Sequence, residues 1–160
     1  MKTFLSVLAL TAAFAAPVYA QEITTTFSED FTEKLNDDFG VREGEFLTKR
    51  LETKVRRELE GTTSDVASVA LVIEDARPNR PTFQQMSDKP GLDPIRSKSI
   101  GGAKITGEAF DANGDLIAEV SYKWYENDIT MINAGGTWSD ANRAFGRFAD
   151  RLHDEIQANE

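Results

Sequence analysis

The chain has 160 residues, no cysteine and a single histidine, and its 27 acidic against 18 basic residues give a formal charge of −9. That balance excludes disulfide and thiolate chemistry, zinc held by a histidine cluster, and Ser-His-Asp machinery with an imidazole to spare. It also opposes sequence-independent binding to nucleic-acid phosphates or anionic lipid.

Met1-Lys2-Thr3 supplies one positive charge, Phe4 to Ala16 is an uncharged apolar run, and Val18-Tyr19-Ala20 places small residues where a signal peptidase inspects them. The run is short of the roughly 20 apolar residues that span a bilayer, and Pro17 interrupts it. The reading is a signal peptide over residues 1–20, cleaved after Ala20. It leaves a single α+β domain over residues 21–160, one unit more negative once Lys2 is gone. With no cysteine to accept a lipid, the expectation is an exported protein, periplasmic or secreted, that is not a lipoprotein and does not insert in the membrane after cleavage.

Ile23, Thr25 and Phe27 alternate with Thr24 and Thr26, as a half-buried strand requires. Phe31 to Gly40 is rich in Asn and Asp and reads as a short strand or a connection ending at Gly40. From Val41 to Glu60 the period changes: Leu47, Leu51, Val55 and Leu59 recur every four residues, with Phe46 beside them, and Gly61 stops the helix. The five basic residues between Lys49 and Arg57 are interleaved with acids and read as a solvated face in preference to a docking patch. Asp65 to Asp75 is a strand with Val69, Leu71 and Ile73 on one face, central in its sheet.

Ala76 to Arg96 carries Pro78, Pro81, Pro90 and Pro94, a spacing that predicts no regular element. Ala103–Phe110 and Leu116–Tyr125 form a hairpin, because Asp111-Ala-Asn-Gly-Asp115 supplies Asn and Gly where a reversal needs positive φ. In its second arm Leu116, Ala118, Val120, Tyr122 and Trp124 share the core face. Ile129 to Gly136 adds a short strand before a Gly-Gly break, and Thr137 is the expected N-cap of a last helix. Ala141, Phe145, Phe148, Leu152 and Ile156 make that helix's buried stripe. The elements are best satisfied by an α+β two-layer sandwich, a mostly antiparallel sheet with two helices on one face in the order β-α-β-β-β-α.

His153, flanked by Asp150 and Asp154, is either a pH sensor or, as is ordinary at a helix flank, a solvated side chain. Asp111-x-Asn113-x-Asp115 mimics the opening of a calcium loop, but the glycine sits at the fourth position and Tyr122 stands where a glutamate is needed. No metal or cofactor is expected. Asp75, Asp88 and Asp93 flank the proline-bearing stretch and are the acids to inspect for a carboxylate pair. That stretch is the best functional candidate, since a long excursion inside a compact domain ordinarily binds, covers a site or shields a sheet edge. The candidate binding residues are Arg77, Asn79 and Arg80, with Trp138 beside Gly135-Gly136 as an aromatic contact. Phe83, Met86 and Leu92 predict partial packing of the excursion onto the body.

Glu74-Asp-Ala-Arg-Pro-Asn-Arg-Pro-Thr82, Thr137-Trp-Ser-Asp-Ala141 and Gly101-Gly102-Ala103 resemble a group of small, exported, uncharacterised proteobacterial proteins. The resemblance implies export and no particular activity. The functional expectation is a non-catalytic domain that binds a partner protein or cell-envelope component through the proline-bearing stretch, with no nucleic-acid partner. The alternative is a small hydrolase working with carboxylates alone on an envelope glycan or related substrate. A third possibility is self-association through an edge strand.

Overall fold

The computed structural model describes residues 21–60, 66–131 and 135–159. The expected signal peptide, the Gly61 stop and the start of the second strand at Asp65 lie outside the described residues. Four strands, β1 (Glu22–Phe27), β2 (Ser68–Arg77), β3 (Gly102–Phe110) and β4 (Leu116–Tyr125), lie side by side in chain order. β1 pairs with β2 in parallel, and the other two pairings are antiparallel. The architecture is α+β, with an open mixed sheet that is mostly antiparallel.

The parallel β1–β2 pair needs a crossover, and α2 (Val41–Leu59) supplies it. Leu47, Leu51, Val55 and Leu59 are buried as their period of four requires, whereas Phe46, one step round the helix, remains 41% exposed. α4 (Ser139–Ala158) buries Ala141, Phe145, Phe148, Leu152 and Ile156 completely or nearly so. Both helices cover the face of the sheet that carries Ile23, Val69, Leu71, Ile73, Ile105 and Tyr122. Each such side chain contributes roughly 1.5–3 kcal/mol by leaving water. On the opposite, wet face stand Thr24, Glu108, Glu119 and Lys123.

Four local expectations are corrected. Residues 29–39 are helical, not extended: α1 (Glu29–Lys34) runs into a π-helical turn, Leu35–Phe39. Ser28 caps α1 by accepting from the Phe31 N–H at 3.2 Å, and Phe31, Leu35 and Phe39 step by four into the core. The second correction is in the proline-bearing stretch, where β2 continues to Arg77 and a short helix, α3 (Phe83–Asp88), follows. Thr82 and Gln85 form a reciprocal capping box that starts α3, and Phe83 points to solvent at 85% exposure instead of packing.

Third, Ile129–Met131 is a 3-10 turn, and Ile132 to Ala134 lie outside the described residues. Fourth, Leu116 is 53% exposed, because the register shifts beside Phe110 and takes it off the core face. The Asp111 turn is the hairpin reversal expected. The Asp111 carboxylate accepts from the N–H groups of Asn113 at 2.8 Å and Asp115 at 2.9 Å, and Gly114 takes φ +87°.

Candidate functional site

A register shift between Ile73 and Asp75 turns Ala76 into the core and leaves Glu74, Asp75 and Arg77 at the wet side. There Asp75 gathers three partners. The Lys34 ammonium lies 2.7 Å from one oxygen, and the Tyr125 hydroxyl donates to the other at 2.6 Å, with the Arg77 guanidinium 3.7 Å from that same oxygen. The guanidinium also stacks over the Tyr125 ring, 4.6 Å from its centre. Burial pushes the Tyr125 phenol well above its ordinary range, and its bond to Asp75 adds to this, so it stays a proton donor throughout the physiological range.

Beyond Arg77 the chain is tied down at nearly every step. Asn79 is fully buried: its N–H donates to the Thr137 carbonyl at 2.6 Å, and its carbonyl accepts from the Ser99 N–H at 3.0 Å. The Asn79 side chain exchanges two bonds with Asp140, donating to the carboxylate at 2.5 Å and accepting from the Asp140 N–H at 2.8 Å. α4 lacks the local cap expected at Thr137; Trp138 occupies the cap position without a side-chain bond, and Asn79 satisfies the helix's second N–H from 61 residues away. Asp38 accepts from Gln85 at 2.8 Å and from Lys89 at 2.5 Å, anchoring α3, and the Lys89 bond is the main reason its carboxyl is held below the usual range. Asp93 closes the turn at Asp93–Ser97 by accepting from the N–H groups of Ile95 and Arg96. These backbone bonds, Arg96 first, depress its pKa.

This bracing leaves a recess of about 410 Å³ between Arg77–Pro81, α3 and the run Ser97–Ile100. Arg77, Arg80, Lys89 and Lys98 line it, and no carboxylate does. Arg77 is exposed, whereas Arg80 is half-buried and donates to the Pro94 carbonyl at 2.9 Å. Lys98 is exposed, with no ion-pair partner among the described residues.

The four sequence candidates therefore separate. Arg77 and Arg80 line the recess, and Asn79 is the buried strut beneath it. Trp138 is 4% exposed, plugged edge-on against Phe39 at 5.5 Å with its indole N–H donating to Glu43 at 2.6 Å. Asp75, Asp88 and Asp93 do not line the recess, and His153 turns its Nδ1 to the Glu58 carbonyl at 3.1 Å, fastening the ends of α4 and α2. Among the described residues no group of three or more His, Cys, Asp or Glu side chains is placed to hold a metal.

Two sets of lining residues lie outside the four candidates read from the sequence. Lys89 and Lys98 lie too far along the chain from Arg77 to be grouped without the turn at Asp93. Lys49, Arg50, Lys54 and Arg57, read as a solvated face, line one recess with Phe46 and Asn142. The helical phase held a signal there, since at 100° per residue these four fall on one side of α2, and Glu45 and Glu52 fall on its flank.

No protein-family model matches the chain, and no curated protein matches it. Among solved structures the chain is similar to a minor lipoprotein from Acinetobacter baumannii, at 13% identity and a TM-score of 0.36, over 89% of this chain and 95% of that one. It is also similar to a lipoprotein-like protein from Caulobacter crescentus CB15, at 12% identity and a TM-score of 0.31, over 86% of this chain and 85% of that one.

Proposed function

We propose that this chain is an exported, non-catalytic binding domain that captures an anionic group on a partner protein or cell-envelope component, using the recess under its proline-bearing excursion. The observation that carries the reading is the lining itself: Arg77, Arg80, Lys89 and Lys98 converge on one recess of a chain whose formal charge is −9. Clustered cations on a chain of net negative charge attract an anion to this recess. Arg77 adds a flat face, already presented by Tyr125, that matches a carboxylate or phosphate in bidentate fashion. The bracing by Asn79, Asp38 and Asp93 means little conformational freedom is lost when a ligand enters.

A carboxylate hydrolase needs two acids facing one cleft, and no single recess described here is lined by two. Among the described residues no helix is long and apolar enough to cross a membrane.

The test is chemical cross-linking in the envelope fraction of cells carrying the native chain or Arg77→Ala/Lys98→Ala. Both side chains are exposed and the excursion's ties run through Asn79, Asp38 and Asp93, so the fold should survive, as circular dichroism would report. The double variant should recover at least about tenfold less of the native partner, equivalent to roughly 1.4 kcal/mol of affinity. An identical set of partners at identical yield would discard the reading.

A further inference from the structure

Three recesses open along the seam where α2 lies against α4, with volumes of about 550, 290 and 490 Å³, and Asn142 lines all three. Lys49, Arg50, Lys54 and Arg57 come from α2, and Arg143 and Arg147 from α4. Glu43 and Asp150 are the acids in the linings, one in each of two recesses, and Glu43 is already engaged by the Trp138 indole. The largest recess has none. From Phe46 to Arg57 the seam runs about 16 Å along the helix axis, the reach of four or five extended residues.

Two further features say what kind of chain fits. Phe46 stands 41% exposed at one end, its ring backed by the Arg50 guanidinium 5.0 Å from its centre, as a platform for an apolar side chain. Asn142 lines all three recesses, so a polar side chain sits between the cations of α2 and those of α4. An occupant therefore has to bring an apolar group and negative charges at successive positions. A short acidic polypeptide brings both. A long polyanion brings the charge but no apolar group for Phe46.

We propose that the α2–α4 seam docks an acidic peptide segment of a partner protein. Its apolar side chain rests on Phe46, and its carboxylates lie along Arg50, Lys54 and Arg57. The Arg50 guanidinium suits paired contacts to carboxylate oxygens, while Arg57, whose Nε and Nη2 already donate to Glu58, has its remaining N–H groups to offer. This seam is built from other residues than the loop recess and does not depend on it.

The test is fluorescence anisotropy at 0.15 M salt with a labelled peptide of one Phe followed by alternating Glu and Ser. The comparison probes are the same peptide with Ala for Phe, and polygalacturonate as an anionic glycan. Native protein should bind the Phe peptide saturably and at least tenfold tighter than either comparison. Arg50→Glu/Lys54→Glu should abolish that binding, while Arg77→Ala/Lys98→Ala leaves it unchanged. Equal binding of the glycan, indifference to the Phe, or undiminished binding by the charge-reversed variant would each overturn the proposal.

Discussion

Asn79 is the residue on which the three segments quoted for the sequence resemblance meet. It belongs to the first, it bonds Thr137 and Asp140 of the second, and Gly101 of the third lies against it. A Cβ on Gly101 would stand 2.6 Å from the Asn79 side-chain oxygen, so glycine there is required by close approach. Asp140 is fully buried, and among the described residues its charge has, besides Asn79, only Arg143, 3.7 Å away. Asn79→Ala therefore removes a helix cap and strips a buried carboxylate of its one hydrogen-bonding side chain. We expect a loss of about 3 kcal/mol, seen as a lower urea midpoint at unchanged slope. A loss below about 1 kcal/mol would mean that the carboxylate finds another partner, and that the strut is dispensable.

Between elements, α4 packs closely on β3. A Cβ on Gly107 would stand 2.6 Å from Phe148 Cζ and 2.9 Å from Leu71 Cδ2, with both side chains fully buried and neither free to move aside. Gly107→Ala should lower stability by roughly 1–3 kcal/mol, read from the unfolding temperature, even though alanine suits a strand no worse than glycine does. This glycine also shows where sequence reading ends. The stripes of α2 and α4 and the Asn-Gly hairpin were legible because period and turn chemistry are local properties of the chain. The helix over residues 29–39 was missed because Asn36, Asp37 and Asp38 crowd its wet side, although Phe31, Leu35 and Phe39 already stepped by four. α3 was hidden by its flanking prolines while its Thr82-x-x-Gln85 capping box stood in plain view. Nothing local, by contrast, announces that Asn79 caps a helix 61 residues away, or that Lys98 faces Arg77. Those facts come into being only when the elements pack.

At the scale of the whole molecule the question is what holds the excursion in place when conditions change. Its ties are largely carboxylates on the surface: Asp38 grips Gln85 and Lys89, and Asp93 closes the turn before Ser97. Both are held below the ordinary carboxyl value of 3.8, Asp38 chiefly by Lys89 and Asp93 chiefly by the Arg96 N–H. A carboxyl with a depressed folded pKa stabilises fully above its unfolded value and loses that contribution as the pH falls through its folded value. These ties are therefore intact from neutrality down to about pH 5 and fail below about pH 4. The core is apolar, so the same protons do not undo it directly. Acid should then loosen the excursion before the sheet, with local opening preceding global unfolding. Hydrogen exchange followed from pH 7 to pH 3, corrected for the intrinsic rate, should show protection in 82–97 falling first while β2 and β3 keep theirs. Asp38→Asn should bring the early loss in the α3 amides up to neutral pH. If all segments lost protection together, the excursion would be an inseparable part of the core's cooperative unit, and a recess braced from outside by titratable ties would be the wrong description.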